Sequence, residues 1–495
     1  MHLRIFAILS LLLLSILPVL NVVSSEEDFD SLEDVKELYS TDVLERHFNR
    51  VLISTGISTN SKSVLIGKDE WLFLGDEYGQ TVTVNRLGSN LDSVEKLSNK
   101  IVSIQGLWER RYKAKGVKEF KIIVGPNKSS IYPEFLPQWA KSPDSSISKH
   151  LYGNNIYVSV IDELIGLKGA KLLYYSQDTH WNFYGAGAAF NYFIKNLETA
   201  DQLNVPPIEW GDVVESHPRQ GGDLTPFLKI AEDVKDVYLL TKINKSEIEH
   251  VIYDFNSNKE VYRGLNSLHG SMNDRYLIKT ASALNDKKVL WLSDSFGDAL
   301  APYMTATFST VLKQHWEGLL GNTGLEELIE EWKPDYVFYT IVERSSLHPL
   351  FLMPPKPIVH GNLEIFSKIA LSPPALHDVS QADDEKYTVQ GNDPFLVYEL
   401  DAVTSGEDAH YLSFHLDCDD FKGSGVPVQV FWRPKDADFN EVDSFSFNAR
   451  KGDNQIAIHD LIDVKDLFSI RVDLKGQMND LRFILNEVKL GIPAK

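Results

Sequence analysis

Ser295 is the first residue whose type and position indicate chemistry. It follows residues 287–292, a candidate strand whose last four residues are apolar, and a helix-like segment comes next. A serine at such a turn places its hydroxyl at the carboxyl end of the strand, where backbone N–H groups and the helix dipole point at a developing oxyanion. We therefore predict Ser295 as a nucleophile. Ser293, Asp294 and Ser295 are also good helix-capping residues, and capping alone would explain them equally well.

Asp178 and His180 supply the two groups that such a nucleophile needs. The carboxylate of Asp178 can hold one imidazole nitrogen of His180, which leaves the other nitrogen to take a proton from a serine hydroxyl. A loop histidine beside an aspartate is also a common structural pair, so each motif alone is insufficient. Together with Ser295 they provide the nucleophile, base and orienting carboxylate of a catalytic triad, whose order in the chain is not restricted.

Alternating strand-like and helix-like segments surround both motifs and must position them. Short apolar runs typical of buried strands lie at residues 120–124, 289–292 and 336–342. Apolar residues recur at helical spacing in residues 91–112, 185–197 and 325–332. This alternation predicts an α/β fold, a sheet flanked by helices, for residues 26–370.

The composition changes after residue 370. Residues 371–386 are rich in Ser, Pro, Gln and Asp, which is typical of a linker. Residues 387–495 alternate apolar and polar side chains between turn residues, which predicts an all-β sandwich. A chain of 495 residues is also too long for one ordinary core, so we expect two domains.

Charge and the N-terminal residues restrict the partners and the location. The formal net charge is −21 and no Lys/Arg-rich block interrupts it, which argues against nucleic acid and slightly favours a neutral or weakly charged ligand. Residues 1–25 have a basic start followed by an apolar run, which predicts either a signal peptide or a membrane anchor. The bulk of the protein is then exported across the cytoplasmic membrane.

Cysteine and histidine usage bears on metals and covalent links. Cys418 is the single cysteine, so it cannot form a disulfide within the chain. A cysteine-type zinc site is excluded, and the sequence has no His-Glu-x-x-His pair. We therefore predict no metal and no cofactor.

Four separated stretches resemble the alginate O-acetyltransferase family of SGNH-hydrolase-like periplasmic proteins. Residues 66–74 are similar to its Gly-Lys-x-x-Trp-Leu-Phe motif, and residues 125–134 resemble its Pro-x-Lys-Ser and Tyr-Pro-Glu segment. Residues 178–182 match its Asp-x-His-Trp motif, and residues 293–296 resemble its Gly-Asp-Ser-Phe motif, with serine replacing the glycine. Several linked motifs in the family's order are far more specific than any one of them.

The resemblance implies an SGNH-like fold in which Ser295 is the nucleophile, His180 the base and Asp178 the orienting carboxylate. It implies a periplasmic enzyme that carries an acetyl group as an acyl-enzyme and passes it to a hydroxyl of an extracellular polysaccharide. It also implies a membrane-bound O-acyltransferase partner as acetyl donor. Two alternatives remain: an acetyl esterase acting on such polymers, and a non-catalytic polysaccharide-binding scaffold of an export system.

Three further side chains are candidates for substrate binding. Lys128 lies in a matched stretch and could bind the donor or a sugar carboxylate, or be an ordinary loop lysine. Trp181 could stack on a sugar ring or pack in the core. The C-terminal region resembles jelly-roll carbohydrate-binding modules, in which Trp432 could be a sugar platform or a core residue.

Overall fold

The computed structural model describes the greater part of the chain. The described residues are 2–24, 36, 38–88, 91–141, 147–231, 234–271, 273–320, 324–355, 358–360, 365–383, 386–404, 411–418, 426–441, 443–458, 467–475 and 481–493. They form two compact units, of which unit 1 comprises Met1–Glu95, Lys121–Trp316 and Phe338–Ser346, and unit 2 comprises Lys96–Phe120, Glu317–Val337 and Leu347–Lys495. Within the described ranges, no helix combines the length and apolar character needed to cross a membrane.

The helices are interspersed with strands along the first two thirds of the chain. They are α1 (His2–Ser24), α2 (Asp42–Ser54), α3 (Leu91–Ala114), α4 (Lys128–Ile131), α5 (Ile161–Leu167), α6 (Phe183–Lys195), α7 (Phe296–Thr307) and α8 (Gly324–Trp332). Short 3₁₀ turns occur in the connections.

The strands fall into a mixed α/β region and a strand-rich C-terminal region. The first twelve are β1 (Val64–Ile66), β2 (Leu72–Leu74), β3 (Glu119–Gly125), β4 (Tyr157–Ser159), β5 (Val213–Gln220), β6 (Lys235–Thr241), β7 (His250–Asp254), β8 (Lys259–Gly264), β9 (Tyr276–Lys279), β10 (Asn285–Ser293), β11 (Phe308–Gln314) and β12 (Tyr336–Val342). The C-terminal strands are β13 (Ile358–His360), β14 (Ile365–Ile369), β15 (Ala375–His377), β16 (Val379–Asp383), β17 (Lys386–Val389), β18 (Phe395–Thr404), β19 (Tyr411–Cys418), β20 (Val426–Pro434), β21 (Ser444–Ala449), β22 (Gly452–Ala457), β23 (Leu467–Leu474) and β24 (Arg482–Pro493).

An eight-stranded sheet carries the two predicted motifs. Its strand order is β4-β3-β12-β10-β11-β9-β7-β8. β3 and β4 are parallel, as are β10 and β11, whereas β9 runs antiparallel to β11. Every residue of β12 is buried, as expected for a strand covered on both faces. The three strands predicted from apolar runs are therefore confirmed as β3, β10 and β12, adjacent strands of this sheet.

The C-terminal strands form a β-sandwich. One sheet has the order β13-β22-β19-β24-β17-β16, with β14 also pairing with β24, and the other has the order β15-β18-β23-β20-β21. Burial alternates strictly along β19, so one face of its sheet is covered. Phe414 of β19 and Phe447 of β21 bring their rings to 6.1 Å, which places side chains of the two sheets in contact.

The linker predicted at residues 371–386 is corrected by the structure. Its described part contains β15, β16 and the first residue of β17. β15 pairs with β18, while β16 pairs with β17 at the edge of the larger sheet. β15 and β16 are edge strands, which tolerate polar residues because they are exposed to solvent. Every residue of β15 is exposed. Since β13 and β14 also pair with sandwich strands, the sandwich begins before residue 371.

Candidate active site

The turn that carries Ser295 is built around a buried aspartate. β10 ends at Ser293, α7 begins at Phe296, and the carboxylate of Asp294 lies beneath the connection. One of its oxygens accepts the N–H of Phe296 at 3.0 Å and the other accepts the N–H of Val342 on β12 at 2.7 Å. Asp294 thus connects the turn that carries Ser295 to the neighbouring strand. Burial raises the pKa of its carboxyl above the ordinary value.

Ser293 replaces the glycine of the family motif without a strained backbone. It is the last residue of β10, and its φ is not in the left-handed region that would favour glycine. Its hydroxyl faces Gly297, where an added Cβ would come within 2.5 Å of the Ser293 Oγ. The small residue needed for close packing at this turn is therefore Gly297 of α7.

His180 lies in a loop that is fixed at both ends. Tyr174 and Trp181 form an isolated antiparallel bridge across the loop. Beyond it, the side-chain oxygen of Asn182 caps α6 by accepting the N–H of Gly185 at 2.9 Å. The Trp181 indole donates to the carbonyl of Phe296 at 2.9 Å, so the loop that carries His180 is hydrogen-bonded directly to the first turn of α7.

The structure brings Asp178, His180 and Ser295 into one hydrogen-bonded line. His180 Nε2 lies 2.8 Å from Ser295 Oγ, and His180 Nδ1 lies 2.7 Å from the nearer oxygen of Asp178. About a quarter of the His180 side chain is exposed, at 26%, whereas the Asp178 side chain is 8% exposed. This arrangement lets the imidazole accept the serine proton while Asp178 stabilises the resulting imidazolium.

The charges around the pair favour its ionised form. Burial disfavours a charged imidazole, but the hydrogen bond that His180 donates to Asp178 and the negative charges of Asp178 and Asp223 outweigh it and raise the pKa of His180. Burial likewise opposes charge on Asp178, yet His180 and Arg219 hold the pKa of that carboxyl well below its ordinary value. Asp178 is therefore a carboxylate at neutral pH.

Arg219 and Asp223 complete the site, and neither was predicted from the sequence. Arg219 donates to the second oxygen of Asp178 at 2.9 Å. Asp223 accepts both the backbone N–H and the hydroxyl of Thr179, at 2.7 and 2.5 Å, and lies 3.5 Å from His180 Nδ1. The available signal was the run Gly221-Gly222-Asp223, a flexible turn ending in an acidic residue.

Asp178, His180 and Asp223 also form the described cluster whose donor atoms lie close enough to hold a metal ion, within 4.8 Å of one another. These donors are already engaged by protein groups: Asp178 by Arg219, His180 by Ser295, and Asp223 by Thr179. A metal ion would need the Asp178 carboxylate as a ligand, and the positively charged Arg219 guanidinium already lies 2.9 Å from it. The donor set therefore suits proton transfer better than metal binding.

The prediction that Lys128 binds substrate is corrected, because its ammonium is occupied by backbone carbonyls. Its ammonium is buried and donates to three carbonyls, those of Tyr175 at 3.0 Å, Ser176 at 2.9 Å and Asp178 at 2.7 Å. These bonds use all three of its N–H donors. Burial lowers the pKa of Lys128 to about 8. Lys128 thus positions the loop that carries Asp178.

The two tryptophans predicted to bind sugar are core residues. The Trp181 side chain is buried, and its ring packs against Phe296 at 5.1 Å. Trp432 is buried inside the sandwich, where it packs against Phe445 at 5.9 Å. Neither ring presents a face on which a sugar could stack, so both predictions are corrected in favour of the packing alternative.

Comparisons with known proteins bear on the first of the two regions. Residues 64–251 match the family described as SGNH hydrolase-like domain, acetyltransferase AlgX. This segment contains Asp178 and His180, and Ser295 lies beyond it. No curated protein matches the chain.

Three solved structures are similar at low identity. PatB1 from Bacillus cereus aligns with a TM-score of 0.42 and 14% identity, covering 58% of this chain and 98% of that one. A DHHW family protein from Eubacterium siraeum gives a TM-score of 0.41, 16% identity, and coverages of 60% and 96%. The O-acetyltransferase domain of Pseudomonas putida AlgJ gives 0.36, 15%, and coverages of 58% and 93%.

The family match and the observed architecture agree with the expectation from the sequence. An α/β region with helices around a sheet precedes a β-sandwich. The resemblance is confirmed: over residues 64–251 this chain is similar to the SGNH hydrolase-like acetyltransferase domain of AlgX.

Proposed function

We propose that this protein is a serine-dependent O-acetyltransferase that acetylates hydroxyl groups of an extracellular polysaccharide. The observation that carries the proposal is the continuous hydrogen-bonded line Asp178-His180-Ser295, with contacts of 2.7 and 2.8 Å. The line ends at the carboxyl end of a buried strand and at the beginning of a helix. Geometry of this kind activates a serine hydroxyl for attack on an acyl carbon.

In the first half-reaction Ser295 takes the acetyl group from the donor. His180 Nε2 removes the proton from Ser295 Oγ as the oxygen forms a bond to the acetyl carbonyl carbon. The bond from that carbon to the donor then breaks, and the leaving oxygen or sulfur takes the proton from the imidazolium. The products are the acetyl-serine ester, the protonated leaving group and neutral His180.

In the second half-reaction the acceptor hydroxyl replaces the donor. His180 takes its proton as the sugar oxygen attacks the acetyl carbon, the bond to Ser295 Oγ breaks, and the serine recovers the proton. The N–H of Ser295 donates to no acceptor among the described residues, which leaves it available to the oxyanion of both tetrahedral intermediates. Its position beside the nucleophile places it where that charge develops.

The donor and the location follow from the family resemblance and belong to the same proposal. A periplasmic enzyme cannot draw on cytoplasmic acetyl-coenzyme A, so a membrane-bound O-acyltransferase delivers the acetyl group. A competing function is hydrolysis of acetyl esters, favoured by the 26% exposure of the His180 side chain, which leaves the imidazole accessible to water.

The test measures acetyl transfer from a chromogenic acetyl ester with and without oligosaccharide acceptors. Ser295→Ala and His180→Ala should each lower acyl-enzyme turnover by about 10³-fold or more, because either change removes a group that acts as part of a unit. Ser54→Ala, at an exposed serine of α2, should retain wild-type turnover.

The products separate the candidate functions. Acetylated oligosaccharide formed only by wild type and the Ser54 variant supports the transferase. Free acetate with no acetylated sugar from any acceptor supports the esterase. Equal turnover in folded Ser295→Ala protein would refute both.

A further inference from the structure

Two cavities of unit 1 lie side by side along α7. The first has a volume of about 340 Å³, and its lining includes Phe183, Tyr238, Asn266, Leu268 and Asp298. The second, of about 240 Å³, also contains Leu268 and Asp298 in its wall. The two cavities are neighbours because they share these two side chains, and we call them together the α7 groove. The larger cavity falls within the range of about 300–1,000 Å³ typical of small-molecule sites.

The α7 groove adjoins the triad on the nucleophile side. Asp298 lies one helical turn after Ser295, and its backbone N–H donates to the Ser295 carbonyl at 3.1 Å. Three residues of helix correspond to a rise of about 4.5 Å. A ligand in the groove therefore lies beside the first turn of the helix that holds the nucleophile.

A chain of stacked side chains joins the groove to the orienting carboxylate. The ring of Tyr238, in the groove wall, stacks on Tyr175 with an interplanar angle of 6° and a centroid distance of 6.3 Å. The guanidinium of Arg219 lies 4.3 Å from the centre of the Tyr175 ring, and Arg219 donates to Asp178. The groove is thus connected to Asp178 through two side chains, those of Tyr175 and Arg219.

The groove lining combines ring faces with hydrogen-bonding groups. Phe183 and Tyr238 meet edge to face at 5.7 Å. Amide and hydroxyl side chains contribute the polar part of the wall: Asn244, Ser246, Asn266 and Ser267. A pyranose ring presents one apolar face and a rim of hydroxyls, so it needs both kinds of contact.

The charges of the groove are negative in balance. Lys313 is the cation of the wall, and its ammonium lies 3.3 Å from the carboxylate of Asp298. Asp274 adds a second carboxylate. Two histidines also line the groove, and burial lowers the pKa of one of them, His250, to about 4, so that ring is neutral at pH 7. A polymer of uronic acids would meet excess negative charge here.

We propose that the α7 groove binds the acceptor, and that this acceptor is a neutral polysaccharide whose hydroxyl reaches acetylated Ser295. The proposal rests on the proposed function and adds the charge class of the substrate and the surface that selects it. Selection against acidic chains comes from Asp298 and Asp274, while the aromatic and amide side chains hold the sugar rings.

The first test measures binding without chemistry. Ser295→Ala protein is titrated by calorimetry with neutral gluco-, manno- and galacto-hexasaccharides and with hexauronates of mannuronic and glucuronic acid. At least one neutral hexasaccharide should bind ten-fold or more tightly than either hexauronate. Adding Leu268→Trp, which enlarges a side chain that lines both cavities, should weaken that binding at least ten-fold. Tighter binding of a hexauronate, failure of every neutral sugar, or unchanged affinity in the Leu268 variant would overturn the proposal.

The second test addresses the charge directly. Asp298→Asn should lower the ratio of neutral-sugar affinity to hexauronate affinity at least three-fold. Added salt should reduce the difference in this ratio between the Asp298→Asn variant and the protein that retains Asp298. Asp286→Asn, at a carboxylate that is 87% exposed and outside both cavity walls, is the matched control and should leave the preference unchanged. Equal preferences in all three proteins would overturn the role of Asp298.

Acylation of Ser295 is followed separately by mass spectrometry with the chromogenic ester. Acylation without sugar binding refutes the groove and leaves the serine chemistry standing. Sugar binding without acylation refutes the serine chemistry and leaves the groove as a binding site.

Discussion

His180 lies between a carboxylate that favours its charged form and a serine that needs its neutral form. Nδ1 faces Asp178 at 2.7 Å and Asp223 at 3.5 Å, while Nε2 faces Ser295 at 2.8 Å. These carboxylates overcome the effect of burial and raise the pKa of His180. The imidazole is thereby a stronger base, at the cost of being protonated over a wider range of pH.

The pH dependence of activity should report this environment. Because the reaction needs neutral His180, kcat/KM should rise with pH through a midpoint above 6.5, the ordinary value for histidine. Asp178→Asn removes the main influence that raises the pKa, so the midpoint should move to lower pH, and kcat should fall by about 10³- to 10⁴-fold. The measurement is ester turnover from pH 5 to 9. Asp286→Asn should retain the wild-type midpoint, and an unchanged midpoint in Asp178→Asn would contradict the assignment.

Lys128 gives a second prediction at this scale. Lys128→Met leaves the three carbonyls of the Asp178 loop without their donor, so the free energy of unfolding should fall by about 2 kcal/mol or more, and kcat should fall with it. Urea unfolding and ester turnover measure the two effects. Lys168→Met, at a half-buried lysine that bonds Ile131 and Glu134, is the control and should cost less than about 1 kcal/mol. Equal losses in the two variants would contradict the positioning role.

Residue types predicted which three side chains meet, whose catalytic roles stay a prediction, but not how the neighbouring side chains are used. Asp178, His180 and Ser295 were predictable because nucleophile, base and carboxylate are a recognisable set. Trp181 and Lys128 were given the wrong roles because the sequence does not show that the indole reaches the Phe296 carbonyl or that the ammonium reaches the carbonyls of the Asp178 loop. Such contacts depend on which loops the fold brings together.

At the scale of elements, the end of β5 and the connection after it set the position of the Asp178 carboxylate. Arg219 of β5 contacts Asp178, and Asp223 of the connection contacts Thr179. Gly222 packs so closely there that an added Cβ would come within 2.3 Å of the Asp178 Cβ and 2.7 Å of the Gln177 carbonyl oxygen. The approach of the two loops requires a residue without a side chain.

Gly222→Ala should therefore displace Asp178 and lower kcat by about 10²-fold, since a shift of about 1 Å in a catalytic group has an effect of that size. Gly211→Ala is the matched control, because its added Cβ would meet no atom within 4 Å and its φ is ordinary. Steady-state kinetics on both variants, with circular dichroism to establish folding, decides the matter. Wild-type kcat in the Gly222 variant would contradict the predicted displacement.

The elements themselves were partly predictable. The apolar runs within β3, β10 and β12 identified the centre of the sheet because strands buried on both faces are rich in consecutive apolar residues. The antiparallel extension through β9, β7 and β8 was not predicted, since β8 is largely exposed and its sequence has no apolar run. The edge strands of the sandwich were interpreted as a linker for the same reason.

At the scale of the molecule, each of the two compact units is built from three separated segments of the chain. Unit 2 contains Lys96–Phe120 and Glu317–Val337 as well as the sandwich. A change in composition predicts one boundary between two domains. It cannot predict two units between which the chain passes several times. Packing also replaces covalent links throughout, because Cys418 is the single cysteine and its side chain is buried.

The melting temperature should therefore be insensitive to reductant. Loss of a disulfide costs about 2–5 kcal/mol in a small domain, whereas reduction has no internal bond to break in this chain. Differential scanning fluorimetry with and without dithiothreitol should give values within about 1 °C of each other. The Cys418→Ala variant serves as the control, and its melting temperature should also be unaffected by reductant. A drop of several degrees seen only in the wild type would reveal a bond between chains.

The support that Asp178 receives from the Gly221-Gly222-Asp223 turn has a consequence for recognising active relatives in genomes. A homologue can retain Asp-x-His-Trp and the serine turn, pass any search based on three residues, and still have lost Arg219, Gly222 or Asp223. Such a sequence would bear the signature of an enzyme without the means to orient its base. Because these three positions support Asp178 and its loop, we expect a search pattern that adds them to separate active homologues from inactive ones.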